Sequence, residues 1–527
     1  MVFFTRYSDS FFLFFLSDNF FIHNVYLTKA AFIVEKKRNN FFKHGLYFRK
    51  RVENFDHINI LDLLRQTADG GMNGLPVFFG SLYAARNESK ITERIAAVWQ
   101  HRKMSDYRFV KIDTASIMFS SLSTKNWGRT FRFAAILKDE VDPGLLKKAA
   151  EDLKPFFPCM YSNLKRGFFW NYQKLTDELP EIRQEFSRPL LPITRRNDAK
   201  PDFRLVYFQN RLAIECSHSL GDGKGVMIYF KRLLERYIDL KNGKTEGFVT
   251  SVTPEERSAN AFSDYFEKGG EKAKDTLKKA YHFPEKYEDG YLKLLFAMMP
   301  VEEIKDRAHL HSMTVTEYLS CVLILGVIRA AKEPIKEPVT IAVPVNLRRF
   351  FETHSARNFT VQTHITFEPN GRQDITLDEI CEKTRNQLRS QLKREELQKT
   401  LNKFGSLAAN PVLKIVPNVI KLPALRMIQK NTHNKFTTIF TNYGDCVLDE
   451  TVSNRIERLE FINGDTRNYG LAVTCSCISY NGILSLCFSM ANRDTSFAAA
   501  CIRILTEIGT DVRVECTDGN GEEKDEM

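Results

Sequence analysis

The sequence predicts an α/β protein built from two halves of similar size. Strand-like and helix-like segments alternate twice, first in residues 104–285 and again in residues 286–527. Between the two series, residues 241–290 are charged and rich in turn formers, which predicts a linker. Of the 527 residues, 43% are hydrophobic and 27% are charged, which is typical of a soluble globular protein with a sizeable core.

Residues 1–103 differ in composition from the rest of the chain. They contain 15 of the 42 phenylalanines and none of the ten cysteines. The apolar run "SFFLFFLSDNFFIHNVYL" is interrupted by Asp18 and His23 and stays short of the roughly 20 residues of a membrane span. We predict an N-terminal extension that is poorly ordered, or a mis-assigned start with the folded body beginning at Met104. A small accessory domain is the alternative.

Charge and cysteine usage exclude several classes of protein. The formal net charge of the chain is +11. Residues 1–103 contain 15 Lys+Arg and 9 Asp+Glu, and the main body contains 61 Lys+Arg and 56 Asp+Glu. Mixed signs of this kind predict a solvated surface and no nucleic-acid partner. The cysteines are irregularly spaced without a CxxC pattern, so we expect reduced, mostly buried thiols in a cytoplasmic protein.

In the first half, the run "TFRFAAILKD" predicts a strand, and "DPGLLKKAAEDLKPFFP" predicts a helix capped by Asp142. The segment "FRLVYFQNRLAIEC" alternates apolar and polar residues twice and predicts a hairpin turning at Gln209 and Asn210. A helix follows, with one apolar face at three- and four-residue spacing: Val226, Phe230, Leu233, Leu234, Tyr237 and Ile238.

The second half begins with the strand-like "YLKLLFAMM" and a buried helix whose Thr314 and Glu317 form a capping box. The runs "EPVTIAVPVNLRRF" and "FTVQTHITFEP" predict strands, and "LDEICEKTRNQLRSQLKREELQKTL" predicts one long amphipathic helix. For "NPVLKIVPNVIKLPALRMIQKN" we predict a packed internal helix, with contact to a membrane or an acyl chain as the alternative. A hairpin turning on Asn481 and Gly482 and a capped helix end the series.

The stretch "HSLGDG" places His218 and Asp222 on a tight corner between a strand and a helix. Gly221 and Gly223 flank Asp222, and we interpret them as space for the close approach of a ligand or another chain segment. The simpler alternative is that Asp222 is an ordinary helix cap and that His218 is a structural corner residue.

The same stretch resembles the active-site motif of the coenzyme A-dependent acyltransferase superfamily. This superfamily includes chloramphenicol acetyltransferase, alcohol O-acetyltransferases and the condensation domains of peptide synthetases. Three further stretches match it in the right order: "VPVNLRRFF" (343–351), "ARNF" (356–359) and "TTIFTNYG" (437–444). Ser217 stands where condensation domains usually have a second histidine, and the D-F-G-W-G box of plant members is absent. Both departures favour the bacterial alcohol O-acetyltransferase-like branch.

The resemblance implies two chloramphenicol acetyltransferase-like halves with an active-site tunnel at their junction. His218 would act as the general base, while Asp222 and Gly223 would shape the corner and Arg348 would pair with Asp222. Candidates for the tunnel wall are Ser217, Asn442 and Gly444. For Arg348, Asn442 and Gly444, an ordinary strand-end or turn position is an equally good interpretation.

The implied function is transfer of an acyl group, with acetyl favoured, from coenzyme A to an alcohol or amine. The expected co-substrate is acyl-coenzyme A, with no bound cofactor, no metal and no stable membrane insertion. One alternative donor is a thioester on an acyl carrier protein, and a non-catalytic binding role is the other alternative. The absence of a G-x-S-x-G elbow argues against a serine hydrolase. The pair His309 and His311 has no third ligand nearby in the sequence.

Overall fold

The computed structural model describes 109–110, 112–122, 130–186, 188–193, 199–245, 253–285, 288, 291–464 and 471–517, together with three N-terminal strands. Chain contacts divide it into two units, Met1–Asp106 and Tyr107–Met527. In the first unit, β1 (Val2–Tyr7), β2 (Ser10–Phe15) and β3 (Val25–Thr28) form an antiparallel sheet in that order. The rest of the predicted extension lies outside the described residues, so its poor order stays a prediction.

Fifteen strands follow in the described part of the second unit. They are β4 (Phe109–Val110), β5 (Thr130–Leu137), β6 (Ser162–Lys165), β7 (Tyr172–Leu175), β8 (Glu181–Gln184), β9 (Phe203–Phe208), β10 (Arg211–Ser217), β11 (Lys293–Pro300), β12 (Val339–Asn346), β13 (Thr360–Phe367), β14 (Thr438–Asp445), β15 (Ile456–Ile462), β16 (Val473–Tyr480), β17 (Ile483–Met490) and β18 (Arg513–Cys516).

The described α-helices are α1 (Thr114–Leu122), α2 (Pro143–Leu153), α3 (Gly223–Lys241), α4 (Pro254–Ser258), α5 (Ala261–Asp264), α6 (Val301–Leu310), α7 (Val315–Ala330), α8 (Leu377–Thr384), α9 (Gln387–Gln391), α10 (Arg394–Ala409), α11 (Pro411–Ile415), α12 (Asn418–His433), α13 (Glu450–Ser453) and α14 (Ser496–Glu507). Helices and strands alternate through both halves, so the predicted α/β class is confirmed.

The second unit contains a small sheet of order β4-β7-β6 and two larger described sheets that organise it. The first of the larger sheets has the order β15-β5-β10-β9-β8 and the second has the order β13-β12-β14-β16-β17-β11-β18. Because β15 pairs antiparallel with β5, a strand from the predicted second half completes the sheet of the first half. The two halves therefore share a sheet as well as an interface.

Each sheet carries its own apolar core. In the first half, α3 packs Val226, Phe230 and Leu233 against the five-stranded sheet, and all three side chains are fully buried. In the second half, α7 is buried along almost its whole length, and its Thr314–Glu317 capping box forms as predicted. Nine of the ten cysteines are buried free thiols, as predicted, and Cys516 is exposed.

The predicted hairpins are confirmed. Strands β9 and β10 pair across Gln209, whose φ is 51°. Strands β16 and β17 pair across Asn481 and Gly482, whose φ values are 48° and 80°. Two consecutive positive φ values match a type I′ turn, which Asn-Gly sequences favour.

The prediction of one long helix after β13 is wrong, because the segment forms α8, α9 and α10. The break lets α9 lie along β13, which is an edge strand of the seven-stranded sheet. The Gln387 side chain accepts a hydrogen bond from Thr366 N and donates one to Thr366 O, both at 2.8 Å. Gln391 makes the same pair of bonds to His364. Two glutamines thus satisfy backbone groups that an edge strand leaves open.

The packed internal helix predicted for "NPVLKIVPNVIKLPALRMIQKN" is also wrong. The segment forms α11 and α12, and only one face of α12 is buried. Val419 and Ile420 are 84% and 64% exposed.

Candidate active site

The corner predicted from "HSLGDG" is formed by the end of β10 and the start of α3. The strand ends at Ser217 and the helix begins at Gly223. Asp222 is the N-cap, and its Oδ1 accepts a hydrogen bond from Gly225 N at 2.8 Å. His218 therefore lies at the start of a turn whose end is fixed by the helix cap.

Asp222 is buried, and donors from both halves of the unit surround its carboxylate. Besides Gly225 N, three groups of the second half donate to Oδ2: Arg348 Nη1 at 2.9 Å, Phe359 N at 2.7 Å and Thr360 Oγ1 at 2.9 Å. Burial acts to raise the pKa of Asp222, but Arg348 and the hydrogen bonds outweigh it and hold that pKa below its ordinary value. The carboxylate is thus a charged anchor between the halves.

Arg348 is fixed by more than its ion pair with Asp222. Its Nε donates to Ser355 O at 2.9 Å, its Nη1 also donates to Asn346 Oδ1 at 3.0 Å, and its Nη2 donates to Arg357 O. The side chain is 11% exposed. The structure therefore brings together Asp222 and Arg348, the pair implied by the sequence resemblance, and adds neighbouring backbone groups to it.

The imidazole of His218 lies against two phenylalanine rings. Phe119 of α1 stacks on it with ring centroids 4.6 Å apart, and Phe131 of β5 lies 4.4 Å away at 42°. The carbonyl oxygen of His218 accepts a hydrogen bond from Asn358 Nδ2 at 3.0 Å. Residue 218 is half-buried. Its backbone is thus held by the second half, and its ring packs against aromatic side chains.

The glycines at the corner differ from the sequence interpretation at one position. A Cβ on Gly221 would lie 2.8 Å from Ala356 O, so close approach does require that glycine. A Cβ on Gly223 would meet only Phe133 and Phe461 at ordinary contact distances of 3.6 and 3.8 Å. The tightest site is Gly225, where a Cβ would lie 1.9 Å from Ala356 O. The segment that approaches is "ARNF" of the second half.

A second buried polar cluster lies behind His218, and the sequence interpretation missed it. Asn358 Nδ2 donates to Ser116 Oγ at 2.8 Å as well as to the carbonyl of residue 218. Arg357 is 1% exposed and pairs with Asp113 at 3.4 Å. Asp113 in turn accepts from Ser116 N at 2.7 Å. The cluster joins the start of α1 to the second half, and the "ARNF" match was its only sequence signal.

The predicted tunnel-wall residues occupy different surroundings. Ser217 Oγ lies 2.9 Å from Ser219 Oγ, next to the histidine. The Asn442 amide donates to Thr316 Oγ1 at 3.0 Å and accepts from Gly444 N at 2.7 Å. One of these bonds joins Asn442 to α7, and the other is local to β14. Gly444 has a φ of 87° and lies inside β14, where the pairing with β16 shifts register between Asn442 and Asp445, so it marks a strand irregularity and not a strand-terminating turn.

Tyr443, between those two residues, contacts the corner instead. Its ring lies 3.5 Å from Lys224 Nζ and packs edge-on against Phe133. Burial lowers the pKa of Lys224 to about 8. A basic residue in the first turn of α3 is opposed by the helix dipole, and the face of an aromatic ring stabilises such a cation.

Known structures share this architecture. Polyketide synthase associated protein 5 from Mycobacterium tuberculosis has 13% sequence identity and a TM-score of 0.53 over 76% of this chain and 97% of that one. F. sporotrichioides TRI101, complexed with coenzyme A and T-2, has 12% identity and a TM-score of 0.55 over 77% and 99%. The epimerization domain from the third module of tyrocidine synthetase B has 14% identity and a TM-score of 0.50 over 76% and 96%.

No protein-family model matches the chain, and no curated protein matches it in sequence. At these identities the structural matches establish the fold. The fold that the resemblance implied is thereby confirmed: the chain has the two-lobed, chloramphenicol acetyltransferase-like fold of coenzyme A-dependent acyltransferases and condensation domains.

Proposed function

We propose that the protein transfers an acyl group, with acetyl favoured, from a coenzyme A thioester to an alcohol or amine, with His218 as the general base. The observation that carries this proposal is the division of roles at the corner. Asp222 is saturated by hydrogen bonds from the second half, whereas the half-buried His218 is held through its backbone carbonyl. We therefore assign the structural role to Asp222 and the chemical role to His218.

The chemistry follows from the weakness of a neutral hydroxyl as a nucleophile. His218 removes the hydroxyl proton while the oxygen attacks the thioester carbonyl. The tetrahedral intermediate then breaks its C–S bond, and the imidazolium returns the proton to the leaving thiolate. Positioned bases of this kind typically contribute about 10²–10⁴-fold. No acyl-enzyme forms, and acyl-coenzyme A acts as a co-substrate without a resident cofactor.

The comparisons support acyl transfer in general. TRI101 was solved with coenzyme A, and Fusarium sporotrichioides TRI3 is described as a trichothecene 15-O-acetyltransferase, with 10% identity and a TM-score of 0.50. The free, buried cysteines are in keeping with the cytoplasmic location that the proposal includes.

A carrier-protein thioester is the alternative donor. The similarity to an epimerization domain of a peptide synthetase is the observation that supports this alternative. At the corner, the position before the histidine separates the two donors. Ser217 occupies it here and hydrogen-bonds Ser219, so a second imidazole is not present at that point.

The test is release of free thiol from acetyl-coenzyme A by the full chain across a panel of alcohols and amines. We expect thiol release that depends on an acceptor, with the acylated product identified by mass spectrometry. If acyl transfer occurs only from a loaded carrier protein, the carrier-protein thioester replaces coenzyme A as the donor in this proposal. If folded protein shows no turnover with either donor, a non-catalytic binding role is favoured and the proposal is overturned.

A further inference from the structure

The outward face of α12 is apolar at every exposed position from residue 419 to residue 428. The side chains of Val419, Ile420, Met427 and Ile428 are 84%, 64%, 65% and 49% exposed. Pro423 and Ala424, also exposed, lie between them. These positions recur at helical spacing and form one stripe, which we call the α12 face. Contiguous exposed apolar surface of this kind marks an interaction site.

The opposite side of α12 fixes this face to the protein. Asn418 N donates to Phe168 O at 2.7 Å, and the buried Lys421 Nζ donates to Leu413 O at 3.0 Å. Leu425 is 3% exposed. Phe168, held by Asn418, is itself 69% exposed. The α12 face therefore points outward because buried polar bonds hold the helix in this orientation.

The sequence around the α12 face carries basic residues and no acidic ones, although one of the basic residues, Lys421, is buried. Between Glu396 and Asp445 the chain contains no Asp or Glu, while it contains six lysines and one arginine. Lys399 and Lys435 pair with acidic residues from outside this stretch, and Lys403 is exposed. An apolar stripe on a helix in a stretch without carboxylates complements a surface that is apolar beneath and anionic above.

We propose that the α12 face docks on the surface of an anionic lipid bilayer. Amphipathic helices lie in the bilayer interface with their apolar side between headgroups and acyl chains, and nearby basic residues add attraction to anionic lipids. The exposed side chains from residue 419 to residue 428 offer no hydrogen-bonding group, which suits the apolar side of a bilayer interface.

Docking of this kind is peripheral. Within the described part of the chain, no single helix is long and apolar enough to cross a bilayer. Among the described helices, α6 and α7 are together long and apolar enough, but they meet at an angle of 85°. Because α12 supplies its own backbone hydrogen bonds, it can rest in the interface without unfolding.

The docking surface and the histidine are connected through α1. Ile117 of α1 lines a cavity together with Leu422 and Leu425 of α12, and Phe119 of α1 stacks on His218. A bilayer on the α12 face would therefore lie on the outer side of α12. The inner side of α12 faces α1, which is the helix that contacts the proposed base. If the proposed function holds, on which this step rests, the arrangement suits an acceptor or an acyl chain that is dissolved in the membrane.

Binding is tested without reference to catalysis, by co-sedimentation of the full chain with vesicles of phosphatidylcholine and phosphatidylglycerol at a ratio of about 7:3. The test variant is Val419→Ser/Ile420→Ser/Met427→Ser, and Val419→Glu serves as a single-residue variant. The matched control is Leu310→Ser/Val447→Ser/Val514→Ser, which changes three apolar residues that are 76%, 72% and 44% exposed elsewhere. Circular dichroism verifies that each variant is folded.

We expect the wild type and the control to bind, and the triple α12 variant and Val419→Glu to bind about tenfold or more weakly. Vesicles of phosphatidylcholine alone should bind the wild type less. Equal binding by the α12 variants, or no binding by the wild type, would overturn the proposal. A dimer of the wild type that the triple variant converts to monomer in sedimentation velocity, without vesicle binding, would assign the face to a second copy of the chain instead. Loss of acyl transfer alone leaves these binding outcomes unchanged.

Discussion

The two ends of the turn from His218 to Asp222 are built in opposite ways. Asp222 is 5% exposed, and four donors surround its carboxylate, three of them from the second half of the unit. His218 is half-buried, and the second half holds it through its backbone carbonyl. Four residues apart, one side chain anchors the two halves, and the other packs against two aromatic rings.

This difference teaches how the same corner can serve stability and chemistry separately. A buried carboxylate is tolerated only when it is paired and hydrogen-bonded, which describes Asp222. An imidazole that is to accept a proton must keep a nitrogen within reach of the substrate, and the hydrogen bond from Asn358 to residue 218 is made to the carbonyl and not to the ring. Substitutions at the two ends should therefore have different signatures.

The largest effect is expected for His218→Ala, which removes the proposed base. On a proven substrate, kcat should fall about 10²–10⁴-fold. Coenzyme A affinity, measured by isothermal titration calorimetry, should stay unchanged. Because Phe119 and Phe131 contact the imidazole, the free energy of unfolding should fall by about 1–2 kcal/mol, so rates are compared where both proteins are folded. Full activity of the variant would contradict the base mechanism while leaving the fold intact.

Asp222→Ala should affect stability most. It leaves the largely buried Arg348 without its carboxylate, and breaking one partner of a buried ion pair costs about 3–5 kcal/mol. Urea denaturation measures this loss, and activity should fall with it. Asp142→Ala is the matched control, because Asp142 is an exposed N-cap that accepts from Gly144 N at 2.7 Å. That change should cost only about 1 kcal/mol. If Asp222→Ala is as stable as the wild type but inactive, Asp222 takes part in the chemistry directly.

A smaller effect separates the glycines behind the anchor. In Gly225→Ala the new Cβ meets Ala356 O at 1.9 Å, so the two halves must shift apart, and overpacking of this kind costs about 1–3 kcal/mol. Gly223→Ala is the control, because its Cβ has ordinary contacts and alanine favours the helix. Its unfolding free energy should match or slightly exceed that of the wild type. Equal losses in both variants would show that the close approach to Ala356 does not set the geometry.

Much of the fold follows from local patterns. Capping residues, the Asn-Gly turn and alternating apolar runs each fixed an element within a few residues of its observed bounds, because each depends on neighbours in the chain. The break into α8, α9 and α10 could not be predicted this way. It depends on Gln387 and Gln391 meeting the edge of β13, which only the assembled sheet provides.

The candidate site divides along the same line. Pairing of Asp222 with Arg348 came from a family motif, whereas the cluster behind His218 depends on contacts distant in sequence. Asp113 and Asn358, for example, are 245 positions apart. Gly225 was overlooked in favour of Gly223, because the approach of Ala356 is set by how the halves pack. Composition and periodicity carry no record of such contacts.

The smallest effect concerns the titration of Asp222. It separates the stabilisation that comes from the charge of Asp222 from the stabilisation that comes from its hydrogen bonds as a helix cap. Its pKa in the folded protein lies below the ordinary value of 3.8, so its charged form stabilises the fold above that pH. This contribution is lost as the pH falls through the folded pKa. Asp222→Asn does not titrate at this position, so its deficit in unfolding free energy relative to the wild type should be greatest at neutral pH and shrink below about pH 4. All other carboxyl groups are common to both proteins and cancel in the difference, which urea denaturation between about pH 3 and pH 7 measures. Each unit by which the folded pKa is lowered corresponds to about 1.4 kcal/mol. A deficit that stays constant with pH would mean that Asp222 acts through hydrogen-bond geometry alone, and the charged anchor would then be wrong.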